Sequence, residues 1–546
     1  MAKKSSTLPL NLHEPDGGVP LYRWLYEELR SAILAGHLRP GGRLPATREL
    51  AAQYGLSRPT IVTAFEQLRS EGYVEGKTGS GTYVTKTLPE DLLQAPDMRA
   101  VARAHSRRFR LSAYARRLVE ARRDKEVPFH RRANMNPGRA ASLRLDSQAE
   151  SDRSTRNNMI GARGALRASP LRGARPRPAR AFRGGEPALD VFPAELWAQV
   201  AARRLRRVST NLLAGGEALG YRPLREAVAE YLNTSRGVKC SAEQVLIISG
   251  VQEALDRAAH LVLDPGDPVW MEEPGYPGAA ATFHAVGARI CPVAIDSEGL
   301  DLENGRTHWP RPRLVYVTPA HQFPLGVTMS LRRRLSLLEW ARQSRTVIFE
   351  DDYDSEYRYS GRPVPALQGL DRAGVVIFAG SFTNVLFPAL RLGYVVVPES
   401  AVDVFAAAGS VSTHHPPLID QAILCDFIRE GHFARHVRRM RELYAERLAV
   451  LVEAARARLR GLLEIADVEA GLRTVGWLQG GISAEQAARA AAERNVEVVP
   501  LSRYAYGRTK RNGLVLGFAA VNSRELRRGV EDLAKALEQC ERVRSR

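Results

Sequence analysis

Four stretches beyond residue 240 of this 546-residue chain end apolar runs in residues equipped for polar chemistry. In "ISGVQEAL" an apolar run stops at Gly250 and a helical pattern begins. The N–H groups of Gly250, Val251 and Gln252 are then free to hold an anion such as phosphate. "EEPGYPG" sets the aromatic face of Tyr276 between two turn formers. "IFEDDYDSEYRY" puts Asp351 and Tyr353 directly after an apolar run, where an acid is costly unless it faces a partner. "GSFTNVLFPALRLGY" carries Ser381, Thr383 and Arg391 around Asn384, and an arginine suits bidentate capture of phosphate. Each also has an ordinary reading: Tyr276 as a loop anchor, Asp351 as a helix cap, Arg391 as a surface ion pair. Together, at consecutive strand ends, they describe one ligand site, because in open α/β sheets ligands bind beyond the carboxyl ends of the strands.

The elements that would position them are legible as apolar runs alternating with helical patterns: "QVLIISG", "DPVWMEEP", "RLVYVTP", "RTVIFEDD", "VVIFAGSF" and "RLGYVVVP". Near-continuous β-branched runs suit strands covered on both faces, which predicts a mainly parallel sheet between helix layers over residues 184–546. Residues 20–86 predict something smaller. "PLYRWLYEELRSAILAG" lines up Leu25, Leu29 and Ile33 on one helical face and stops at Gly36. "LPATRELAAQYGLSRPTIVTAFEQLRSEGYV" predicts two helices around Gly55-Leu56-Ser57, with Ser57 as cap, Pro59 in the first turn, and Ile61, Phe65 and Leu68 buried. "GYVEGKTGSGTYVT" predicts a hairpin turning at Thr78-Gly79-Ser80-Gly81. Helix, helix-turn-helix and hairpin make a winged helix-turn-helix.

Between these lies an arginine-rich segment, residues 87–183, with no sustained period, which predicts a mostly disordered linker. The charge supports that division. The chain is +19, but residues 101–183 alone carry +16, leaving +3 for the other 463 residues. The excess is read as a solvated tether, with a DNA-attracting tail or an altered reading frame as the other readings. Cys240, Cys291, Cys425 and Cys540 show neither CxxC nor metal spacing, and "MAKKSSTLPLNLHEP" lacks the apolar stretch of a secretory signal. With no apolar run of about 20 residues, no membrane partner is expected, and the location expected is cytoplasmic.

In "EEPGYPGA", "TPAHQFPLGVTMSLRRRLSLLEWA", "EDDYDSEYRY" and "LFPALRLGY" the later part resembles fold-type-I aminotransferases, and residues 20–86 resemble a GntR-type winged helix-turn-helix. The two in one chain resemble a MocR/GabR-type transcriptional regulator. That resemblance implies a homodimer on double-stranded DNA, pyridoxal 5'-phosphate (PLP) as cofactor, and an amine or amino acid as effector. Asp351 would pair with the pyridine nitrogen, Tyr353 would bond the phenolic oxygen, and Tyr276 would stack on the ring. Gly250, Val251, Gln252, Ser381, Thr383 and Arg391 would hold the phosphate. On DNA, Ser57, Arg58, Pro59, Thr60 and Thr63 would lie in the major groove. Arg48 would lie against the duplex, with Gly79, Ser80 and Gly81 as the wing tip.

The chain departs from the family at three points. Asn384 stands at the Schiff-base lysine position, and no lysine occurs between Ser241 and Thr509; Lys239 and Lys510 are the nearest. Val515 stands in "LVLGF" near where the family tends to have an arginine for the effector's carboxylate, and Pro324-Leu325-Gly326 replaces the usual Pro-Thr-Gly or Pro-Ser-Gly. An amide cannot form an imine, so there is no catalytic residue at this position, and PLP is expected to be held without a covalent bond. The expectation is a DNA-binding regulator with a PLP-binding sensor domain. The competing readings are an aminotransferase with a fused DNA-binding domain, and a decayed regulator.

Overall fold

Helix α1 (Leu21–Leu34) buries Leu25, Leu29 and Ile33 completely, as their four-residue spacing requires. In the computed structural model, which describes residues 21–34, 37–39, 41–70, 73–77, 81–84, 111–116, 180–360, 365–466, 468–507 and 512–544, α1 lies in the smaller of two units. Helix α2 (Thr47–Tyr54) ends at Gly55, whose φ of 64° is left-handed, and α3 (Arg58–Ser70) follows. The Glu49 carboxylate accepts the Ala46 N–H at 3.1 Å, and Ser57 Oγ accepts the Thr60 N–H at 3.3 Å, so both helix starts are capped by side chains. Strands β1 (Val74–Lys77) and β2 (Gly81–Val84) pair antiparallel from Val74↔Val84 to Lys77↔Gly81. Ile61, Phe65, Leu68, Tyr73 and Val84 close the core over α1.

The larger unit is built on a sheet of eight strands. They are β3 (Val245–Ile248), β4 (Pro268–Glu273), β5 (Arg289–Asp296), β6 (Gly299–Leu300), β7 (Leu314–Val317), β8 (Val347–Asp352), β9 (Val376–Ser381) and β10 (Gly393–Val396). Their spatial order is β3-β10-β9-β8-β7-β4-β5-β6, parallel except for β10 and the two-residue β6. Strands β3, β7, β8 and β10 are buried at every position, which is why their sequences run apolar without alternation. Helix α4 (Val251–Val262) covers one face with Ala254, Leu255, Ala258, Leu261 and Val262.

A second, antiparallel sheet holds β11 (Leu463–Ile465), β12 (Arg473–Leu478), β13 (Val499–Pro500) and β14 (Gly513–Gly517) in the order β11-β12-β14-β13. Two long helices, α5 (His432–Arg458) and α6 (Ser523–Arg544), share its core. This core starts upstream of residue 184, where the folded region was expected to begin. Phe182 is only 1% exposed within it, and its backbone bridges to Gly517.

The arginine-rich segment also contributes a docked piece. Ser112 Oγ donates to the His260 carbonyl at 2.6 Å, the Ala113 N–H donates to Asp264 Oδ1 at 2.8 Å, and Ala115 is fully buried. Outside 111–116 and 180–183, residues 87–183 lie beyond the described residues. Phe182→Ala should cost about 3–5 kcal/mol, the usual range for emptying a buried aromatic site. Chemical denaturation of the full chain measures this, and a loss below about 1 kcal/mol would mean that Phe182 is not part of the core.

Candidate functional site

In the smaller unit the residues expected to meet DNA lie together on α2, α3 and the hairpin. Arg48, Ser57, Arg58, Pro59 and Thr63 are exposed and Thr60 is half-buried. Two hydroxyls are engaged locally: Thr63 Oγ1 donates to the Pro59 carbonyl at 3.0 Å, and Ser57 Oγ lies 2.7 Å from Thr60 Oγ1. Arg58 forms no hydrogen bond or ion pair with any described residue, so its guanidinium is available to an outside anion. Gly81 has φ of 112°, and a Cβ there would fall 2.9 Å from Nε of Arg43. Arg43 bridges to Tyr83, and its guanidinium beside Gly81 adds a cation near the hairpin turn that no sequence motif announced. Gly79 and Ser80 lie outside the described residues.

In the larger unit the sheet register gathers the predicted pocket residues. Gly393 sits opposite both Ser381 and Ile248, and Asp352 sits opposite Gly380, so β3, β8 and β9 deliver their carboxyl ends to one edge. Gly250 ends the β3 turn with φ of 119° and caps α4 with no side chain on the cap. The Arg391 guanidinium lies beside it, at 3.6 Å from where a Cβ would stand. Arg391 itself is in the left-handed region at φ 49°, a conformation that costs an ordinary residue about 1–2 kcal/mol. Ser381 Oγ accepts the Thr383 N–H at 3.1 Å, tightening the turn that carries Asn384. The Asn384 amide donates to the Tyr353 carbonyl at 3.0 Å, joining the ends of β8 and β9.

Asp351, next to last in β8, is only 4% exposed. Tyr316 donates to its Oδ2 at 2.7 Å, while Oδ1 is buried with no hydrogen-bond partner. Burial pushes the carboxyl up to about 7, against the opposing pull of the Tyr316 hydroxyl. Burial likewise pushes Glu272 up to about 7, although Thr318 and Gln322 both donate to it. Tyr276 starts helix Pro277–Ala285, with its hydroxyl 3.4 Å from the Gln252 side-chain oxygen and its ring edge-on to Phe323 at 5.6 Å. Its hydroxyl is raised by burial first and by the Asp351 charge second, with Arg473 and Arg391 pulling the other way. Tyr276 therefore sits within the electrostatic reach of all three. Gln252 is held in turn by Gly278 and Thr282.

Several participants carry no motif signal. His321, nearly buried, brings Nδ1 to 3.0 Å from Asp354 Oδ1 and 3.1 Å from the Tyr353 hydroxyl. Two glycines enclose it: a Cβ on Gly471 would fall 1.9 Å from its ring, and one on Gly326 3.1 Å. Arg473, on β12, lies over the rings of Phe323 and Tyr353 at 4.8 and 5.5 Å. A histidine between "TPA" and "QFP" and an arginine inside an apolar strand were the available hints. Val515 is buried with Val475 and Leu501, and Leu325 packs against the same cluster.

Both units have known relatives. Residues 21–84 match the family described as bacterial regulatory proteins, gntR family, and residues 186–533 match aminotransferase class I and II. The chain is 39% identical over 521 residues to the probable rhizopine catabolism regulatory protein MocR of Rhizobium meliloti, covering 95% of this chain and 94% of that protein. It is 29% identical over 528 residues to the HTH-type transcriptional regulator TauR of Rhodobacter capsulatus, covering 96% and 98%. Among solved structures, the α-aminoadipate aminotransferase LysN of Thermus thermophilus, complexed with N-(5'-phosphopyridoxyl)-L-leucine, matches at 32% identity. Its TM-score is 0.62 over 66% of this chain and 92% of that chain. Aminotransferases of this fold are PLP-dependent enzymes. A winged helix and an aminotransferase-like body in one chain, aligned nearly end to end with named regulators, mean that the protein belongs to the GntR/MocR-type family of DNA-binding transcriptional regulators.

Proposed function

We propose that this regulator binds PLP without a covalent bond, and that a small amine or amino acid reaching the same pocket sets how a homodimer engages paired DNA sites. The carrying observation is the buried, unpartnered Oδ1 of Asp351 at the sheet edge that also holds Gly250 and Arg391. A pyridine nitrogen bearing a proton answers that oxygen. Asp351 would keep the nitrogen protonated, Tyr353 would bond the phenolic oxygen and Tyr276 would cover the ring. The N–H groups of Gly250, Val251 and Gln252, with Ser381, Thr383 and Arg391, would take the phosphate.

When bound, PLP supplies an aldehyde that condenses with amines and an electron-poor, coloured ring. Asn384 offers no nucleophile toward it, and its amide instead ties Tyr353 to the β9 turn. The site is thus suited to holding a ligand rather than turning it over. The division of labour we propose is residues 20–86 on DNA, 87–183 as linker, and 184–546 for dimerisation and sensing, in the cytoplasm.

If Arg58 reads a base, Arg58→Ala should lose about 1–3 kcal/mol on the cognate site and less on random duplex. Equal losses on both, in binding titrations at matched salt, would reduce Arg58 to a phosphate contact.

Absorbance during PLP titration and borohydride treatment test the cofactor. The natural protein should bind PLP reversibly and retain none after reduction and denaturation. Asn384→Lys should become coloured and retain it. Arg391→Ala should weaken binding in both backgrounds by about 10–100-fold, the value of a charge-assisted contact. An Asn384→Lys protein that takes up no PLP would overturn the pocket.

A third expectation concerns pH. An unfolded aspartate titrates near ~3.9, whereas Asp351 is raised to about 7 in the fold. The fold therefore binds this proton more tightly, and its stability falls as pH rises through that window, then levels off. Asp351→Asn escapes that loss, so without PLP its melting advantage should be small at the acidic end and largest above pH 7. With PLP the order should reverse, because the ring nitrogen loses its carboxylate. Indistinguishable melting of the two proteins at pH 5 and pH 8 would contradict the buried-carboxyl argument.

A further inference from the structure

The Arg473 side chain opens β12 with only 9% of its surface exposed. It makes no hydrogen bond and no ion pair with any described residue, and its Nε is buried without an acceptor. A buried guanidinium without an anion is expensive, and folds keep one only where a partner compensates. Among the described residues its contacts are the ring faces of Phe323 and Tyr353, at 4.8 and 5.5 Å. Gly185, with φ of 80°, lies beside the guanidinium, and a Cβ there would stand 3.4 Å from Nη2. A side chain at 185 would fill that space. Arg473 and Arg391 also touch different residues: Arg391 lies by Gly250, while Arg473 lies by Gly185, Phe323 and Tyr353. Phe323, whose ring lies under Arg473, is edge-on to the Tyr276 ring at 5.6 Å, which ties Arg473 to the pocket.

The register relates this cation to Val515. On the paired strands, Val475 faces Val515 and Arg473 faces Gly517. Arg473 and Val475 are two residues apart and share one face of β12, so Arg473 is the diagonal neighbour of Val515. Val515 itself is enclosed by Val475 and Leu501 with Leu325 against them, an apolar cluster unable to hold an anion.

We propose that Arg473 recognises the carboxylate of the small amine effector, one strand over from Val515. The inference rests on the pocket reading above. It makes the effector an amino acid rather than a simple amine, with Arg391 engaged by phosphate and Arg473 by carboxylate.

The test uses the full chain and two stable probes, N-(5'-phosphopyridoxyl)-L-alanine and N-(5'-phosphopyridoxyl)-ethylamine, which differ only in the carboxylate. By titration calorimetry the natural protein should prefer the alanine conjugate by about 10–100-fold, the usual strength of a charge-assisted hydrogen-bonded contact. Arg473→Gln should bring the two affinities to within about 2-fold of each other by lowering only the alanine conjugate. Arg473→Lys, which keeps the charge but not the fork, should retain part of the preference. Arg391→Ala should weaken both conjugates alike, which separates phosphate loss from carboxylate loss. Equal affinities in the natural protein would overturn this inference while leaving the pocket standing, as would a preference that survives Arg473→Gln. If neither conjugate binds the natural protein, the pocket reading fails and Arg473 falls with it. Arg473→Lys also guards against misfolding of the glutamine variant: a reduced preference there supports the inference, and an undiminished one overturns it.

Discussion

A carboxylate at the end of a fully buried parallel strand is the constraint on which this pocket depends. Strand β8 is buried at every position, so an acid at its end is dehydrated by the fold itself. Asp351 answers half of its demand with Tyr316 and leaves one oxygen without a partner. Everything that surrounds it is arranged by the same edge. The turn after β3 supplies Gly250, the turn after β9 supplies Ser381 and Asn384, and β10 begins opposite both.

Around that edge the chain keeps features that are costly unless something binds. Arg391 occupies a left-handed backbone conformation, and Arg473 is buried with no anion beside it. Strain and uncompensated charge of this kind persist where function requires them. No lysine occurs between Ser241 and Thr509, and Asn384 joins Tyr353 to the neighbouring turn. A regulator needs ligand occupancy to differ between two states of the protein, and turnover would erase the signal that occupancy carries.

The departures at Val515 and Leu325 are a single change in three dimensions. Both side chains enter one apolar cluster with Val475 and Leu501, so a hydroxyl or a guanidinium at either position would meet hydrocarbon. On the adjacent strand Arg473 is a cation diagonal to Val515, with the ring faces of Phe323 and Tyr353 against it.

Much of the fold was legible because it rests on local rules. The spacing of Leu25, Leu29 and Ile33 specified α1, Gly55 specified the turn between α2 and α3, and uninterrupted apolar runs specified the covered sheet. The residues at the strand ends were legible for a related reason: polar groups straight after buried strands stand out against their neighbours. The partners they acquire were not. Tyr316 reaches Asp351 across 35 residues, His321 reaches Asp354 across 33, and Arg473 meets Tyr353 from a different sheet. Phe182 looked like the end of a basic linker, and Ser112 like its middle, until their burial placed them against the folded core. Periodicity and turn chemistry are properties of neighbouring residues, so the sequence by itself determined the elements, the identity of the edge residues and the absence of the lysine. Which charges go unanswered depends on packing between distant segments, and that was decided only by the tertiary structure.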